Sequence, residues 1–156
     1  MRISVGTFYD DGKGFPTIGW GANLRAGIYP KDKIADLLCG HPIGKEQAYE
    51  FLGHGIRAAE GTLDQKAPNW RSFTDSQQRA LVELAFLFSP QGLSGIDGFL
   101  PAIEAGDLAL AGEKLMASQW AKGIKTQHDE AVRTKNYAPW KTRPQILAEQ
   151  LGWVPR

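Results

Sequence analysis

Asp11 and Thr17 stand six residues apart on either side of a glycine-rich turn, Asp10-Asp11-Gly12-Lys13-Gly14. If the flanking segments pair, a carboxylate and a hydroxyl come to the same edge, and together they can hold and deprotonate a water. The same residues also serve as a turn aspartate and a strand threonine, and pattern alone favours that simpler use. Other chemistries find less support. His41, His54 and His128 are scattered, with no His-x-x-x-His or Cys-His pair, so no metal site and no cofactor is expected. No Gly-x-Ser-x-Gly elbow exists, and glycines 12, 14, 19 and 21 lack the Lys-Ser/Thr of a phosphate-binding loop. The single cysteine, Cys39, excludes an internal disulfide framework and reads as a small buried hydrophobe behind Leu38.

The elements that must position the pair follow from composition and periodicity. Residues 3–9 and 15–21 are β-branched and aromatic and read as the two strands of a hairpin. Helices are expected at 31–39, 45–63, 75–88, 96–105, 107–118, 128–137 and 144–151, with Gly106, Gly123 and Pro139 as breaks. Helix 75–88 is the clearest: Thr74 and Gln77 have capping-box form, and apolar residues on nearly every face mark a central helix ended by Pro90-Gln91-Gly92. Strands at the front and helices thereafter make the chain α+β. At 156 residues and 17.1 kDa, it is expected to form one domain, or two small lobes sharing a long helix.

Charge narrows the partners. The net charge of +1 gives no argument for nucleic acid. Residues 1–121 carry −3 and residues 122–156 carry +4, a basic end that reads as a solvated face or as an attraction to an anionic polymer. No apolar run is long enough to span a membrane and the N-terminus lacks a signal-peptide pattern, so no stable membrane insertion is expected.

The segment Tyr9-Asp10-Asp11-Gly12-Lys13-Gly14-Phe15-Pro16-Thr17-Ile18-Gly19-Trp20-Gly21 resembles the Tyr-x-Asp-x-x-Gly-x-x-Thr-Ile-Gly-x-Gly hairpin of phage lysozymes of the T4 type. The likeness continues in order through Ile43 to Ala48, Arg79 to Phe86, Gly92, Gly98-Phe99 and the stretch from Asp107 to Trp120. The resemblance implies a hairpin lobe (1–44), an interlobe helix (45–65) and a helical lobe (66–156), with a cleft for a glycan strand. It implies a monomeric muramidase that cuts the β-1,4 bond between N-acetylmuramic acid and N-acetylglucosamine in peptidoglycan. Such a protein is made in the host cytoplasm and reaches the wall through a pore, or is carried in the virion. By the same resemblance Asp11 activates the water and Thr17 helps hold it.

The family also keeps a glutamate as general acid nine residues before the aspartate, where this sequence has Arg2 with no room for a helix ahead of the first strand. Three resolutions remain open. A C-terminal helix over 144–153 could supply Glu149, which is the expected acid. Glu130, beside Asp129, could supply it instead. Or the acid is absent, through loss or an upstream truncation, leaving a glycan-binding or structural module. Ala22 replaces the family's histidine, and Leu87 stands where Asn or Gln usually follows the phenylalanine, so altered substrate contacts are expected.

Overall fold

The computed structural model describes residues 4–12 and 14–155; Ile3 of the expected first strand, and Arg2 at the family's glutamate position, lie outside them. The described chain is 62% helical with one three-stranded antiparallel sheet, so the fold is α+β and lysozyme-like. It divides into two compact units, Met1–Ala59 and Glu60–Arg156.

In the first unit β1 (Ser4–Asp10) pairs with β2 (Pro16–Gly19), which pairs in turn with β3 (Ala22–Asn23). Tyr9 faces Thr17 and Asp10 faces Pro16 across the hairpin, and the register is irregular between Ser4 and Tyr9. α1 (Lys31–Leu38) follows, and α2 (Lys45–Lys66) carries the chain onward into the second unit. Ile18, Ala22, Leu24, Tyr29, Leu37, Ile43, Ala48 and Phe51 form the unit's buried core. Gly19 is required where β2 crosses α2. Its φ is +56°, and a Cβ there would lie 3.2 Å from the Ala48 Cβ. The family's histidine position is thus a buried alanine, Ala22, packed in this core.

The second unit contains a 3-10 helix (Trp70–Ser72) and six further helices, α3 (Asp75–Leu87), α4 (Pro90–Ser94), α5 (Phe99–Glu104), α6 (Leu108–Ala117), α7 (Gln119–Lys135) and α8 (Arg143–Leu151). Thr74 and Gln77 close the expected capping box on α3, each side chain accepting the other's backbone N–H. Leu63, Trp70, Leu81, Leu84, Leu93, Phe99, Ile103, Leu115, Leu147 and Leu151 are fully buried. α8 packs on α6 so closely that a Cβ on Gly112 would meet Trp153 Cβ at 2.6 Å and the Ala148 carbonyl oxygen at 2.9 Å. No side chain fits there.

Four expectations need correction. α7 begins at Gln119 rather than 128 and runs through Gly123. A single interior glycine costs about 1 kcal/mol, and the Ser118 N-cap and the Trp120–Phe88 edge-to-face contact (5.2 Å) outweigh it. Pro90 not only follows α3 but opens α4, occupying the first turn where its missing N–H costs nothing, with Ser89 as N-cap. α3 is buried on one face only, through Ala80, Leu81, Leu84 and Ala85, while Leu87 is 50% exposed. Cys39 is exposed at the end of α1, because the helix buries Leu37 instead.

Candidate active site in the hairpin

The two aspartates of the turn divide its work. Asp10 Oδ1 accepts the backbone N–H groups of Gly12 (2.7 Å) and Gly14 (3.1 Å), and both glycines supply the positive φ this loop needs. Asp10 is therefore the turn-former. Asp11 sits at the exposed end of the hairpin. Its Oδ1 accepts the Phe15 N–H at 3.2 Å, and its own N–H donates to the Phe15 carbonyl at 3.2 Å.

Thr17 reaches the same carbonyl. Its hydroxyl donates to Phe15 O at 3.1 Å, and the residue is only 5% exposed, central in the sheet between Tyr9 and Asn23. A hydroxyl whose proton is committed to a carbonyl offers only its lone pairs to a further partner. The two side chains are thus tied to the N–H and the carbonyl of one residue, Phe15, with Asp11 exposed and Thr17 fixed as an acceptor. Phe15 was not singled out by the sequence, because its contribution is entirely backbone and any residue but proline could supply it.

The expected acids both belong to the second unit. Glu149 belongs to α8 in the second unit, among α3, α6 and α7, with a quarter of its side chain exposed. Its Oε2 accepts from Lys141 and its Oε1 from Gln145 at 3.4 Å, so both oxygens are acceptors. Arg143, at the first turn of the same helix, pairs with Glu83 of α3 through two N–H groups. Glu130 is exposed on α7. Its neighbour Asp129 is held below the usual carboxylate range by a hydrogen bond from Lys125 first and from His128 second. Among the described residues no cluster of three or more His, Cys, Asp or Glu is placed to hold a metal ion.

A small antiparallel sheet followed by a mostly helical unit is the arrangement of lysozyme-like folds. The phage lysozyme family matches residues 5–136, most of the chain, and the chain belongs to that family. No curated protein matches it. Membership makes peptidoglycan the substrate class and the cell wall the place of action, for a hydrolase of phage type. No helix among the described residues is long and apolar enough to cross a membrane.

Proposed function

We propose that the chain is a monomeric muramidase, hydrolysing the β-1,4 bond between N-acetylmuramic acid and N-acetylglucosamine, with Asp11 and Thr17 holding the attacking water. The observation that carries this is the shared anchor at Phe15, within the segment that matches the family. A water that donates one proton to the Asp11 carboxylate and the other to the Thr17 oxygen directs its lone pair at the anomeric carbon. As the bond forms, Asp11 takes the water's proton. The departing sugar oxygen needs a proton in turn, a step worth about 10²–10⁴-fold. Glu149 is the first candidate to give it and Glu130 the second. The division into a hairpin lobe (1–44), linking helix (45–65) and helical lobe (66–156) belongs to the same reading. So does the route to the wall, as an endolysin released through a separate pore or as a virion component.

A second reading has one observation in its favour. Both Glu149 oxygens already accept hydrogen bonds, from Lys141 and Gln145, as suits a carboxylate that fastens α8. In that case the chain is a non-hydrolytic, glycan-binding lysozyme-like module. Incubating the purified chain with purified sacculi and weighing the soluble products by mass spectrometry separates the two. Muropeptides ending in reducing N-acetylmuramic acid are expected. Sacculi that bind the chain but release nothing would establish the second reading.

A further inference from the structure

In the first unit, the end of α1, the first two turns of α2 and the chain between them line a recess of about 190 Å³. Its floor is apolar: Leu37 and Phe51, 5% and 3% exposed, belong to the buried core, and Pro42 adds to it. Its rim is polar, with Lys33, Asp36, His41 and Gln47. Sites for whole small molecules run to roughly 300–1,000 Å³. This one admits a group about as large as one amino-acid residue.

Each rim group has its hydrogen-bonding role set. Lys33 Nζ donates to Glu50 at 2.8 Å, so its charge is already balanced. Asp36 is exposed, and its carboxylate forms no ion pair among the described residues. Gly40, with φ +90°, ends α1 and turns the chain back, so that His41 Nδ1 lies 2.9 Å from the Asp36 carbonyl oxygen. A carbonyl only accepts, so Nδ1 carries the ring proton and Nε2 of the neutral ring is an acceptor. Gln47 Oε1 accepts the Gly44 N–H at 3.4 Å, which leaves the Gln47 NH₂ group to donate.

The recess thus offers an unpaired carboxylate and a neutral acceptor to a cationic donor, and a neutral donor to an acceptor, over an apolar floor. The first residue of a polypeptide carries that set: an ammonium at neutral pH, a carbonyl oxygen and a side chain. A carboxyl terminus would meet Asp36 with like charge. A metal ion finds no support, because the described residues bring no three His, Cys, Asp or Glu together.

We propose that this recess captures the free amino terminus of a partner polypeptide whose first residue is apolar. The ammonium donates to the Asp36 carboxylate and His41 Nε2, the first carbonyl accepts from Gln47, and the side chain rests on Leu37 and Phe51. None of these residues enters the proposed water-holding pair, so the inference stands whether or not the chain hydrolyses peptidoglycan.

The test is an NMR titration of the full chain with Leu-Gly-Gly amide, its N-acetyl form, Gly-Gly-Gly amide and n-pentylamine. Leu-Gly-Gly amide should shift the His41 ring protons and the Gln47 side-chain amide, and the shifts should saturate. Acetylating the peptide should weaken binding about tenfold or more, as loss of a charged hydrogen bond does. Asp36→Asn should do the same, with a wild-type melting temperature because the residue is exposed. Glycine in place of the leucine should weaken binding severalfold. Three results would each overturn the proposal: an acetylated peptide that binds as tightly as the free one, pentylamine that binds as tightly as Leu-Gly-Gly amide, or no saturable shift at His41 and Gln47. Muropeptide release by Asp36→Asn should match wild type, which keeps this test apart from that of the muramidase reading.

Discussion

The hairpin turn and the end of α8 both present carboxylates, but the two are held by different means. Asp10 and Asp11 are fixed by backbone amides of their own turn, at Gly12, Gly14 and Phe15, and Thr17 by a backbone carbonyl. Glu149 is fixed by the tips of two side chains, Lys141 and Gln145. Backbone partners cannot swing away without unfolding the strand pair, so the geometry at Asp11 is set before any substrate arrives. Exposed side-chain partners exchange readily with water, and an isolated surface ion pair is worth about 0–1 kcal/mol. The water-holding half of the proposed chemistry is therefore preorganised, while the proton-donating half must give up existing bonds to act.

The sharpest way to break this contrast is Asp11→Asn, which keeps an oxygen for the Phe15 N–H but removes the base. Muropeptide release should fall by about 10²–10⁴-fold with the melting temperature unchanged, measured as initial rates on sacculi beside thermal melts. Glu149→Gln comes next. As the donor's loss it should cost at least about 10²-fold in rate, again with little change in stability because the Lys141 pair is exposed. A fully active variant would make Glu149 a fastener of α8 and move the search to Glu130.

Gly112→Ala probes the ground on which Glu149 stands. Its Cβ would strike Trp153 and the Ala148 carbonyl, so α8 must shift, at about 1–3 kcal/mol in a chemical denaturation curve. The Asp11–Thr17 hairpin has no part in that contact. Thr17→Val removes only the hydroxyl from a buried strand position. The loss of one orienting hydrogen bond should lower the rate by up to about tenfold, with Thr17→Ser partly restoring it.

The smallest effect concerns acid. Asp64 is held below the usual carboxylate range by hydrogen bonds from Arg71 first and from Trp70 second. The folded chain thus binds fewer protons at this site than the unfolded chain around pH 4. Its stabilising contribution is present above the ordinary carboxylate range and fades as pH falls through it. Asp64→Asn should slightly flatten the fall in melting temperature between pH 6 and pH 3. It keeps an oxygen to accept from the buried Trp70 indole.

Much of this was legible in the residues, for identifiable reasons. The spacing of Asp11, the glycines and Thr17 encodes a hairpin because turn conformations are set by local chemistry. The α3 start was readable because Thr74 and Gln77 satisfy each other's backbone within four residues. α7 was misplaced because Gly123 signals a break locally, whereas the Ser118 cap and the Phe88–Trp120 contact lie beyond any short window. Cys39 was misplaced because helix phase, not residue type, decided that Leu37 would face inward. For the proposed site, the family resemblance rather than spacing pointed to Asp11 and Thr17, and no sequence signal marks Phe15, whose role is carried by its peptide groups. The placement of a proton donor depends on tertiary contacts that no local spacing records, which is why Glu149 and Glu130 could be named only as candidates.

The most direct measurement of the central claim is the anomeric configuration of the fresh N-acetylmuramic acid reducing end, followed by proton NMR during hydrolysis of a soluble glycan fragment. If Asp11 and Thr17 direct a water onto the face opposite the departing sugar, the β bond yields the α anomer first, with β growing only by mutarotation. A product that begins as β would contradict the account, because it would require a covalent intermediate and make Asp11 something other than the holder of a water.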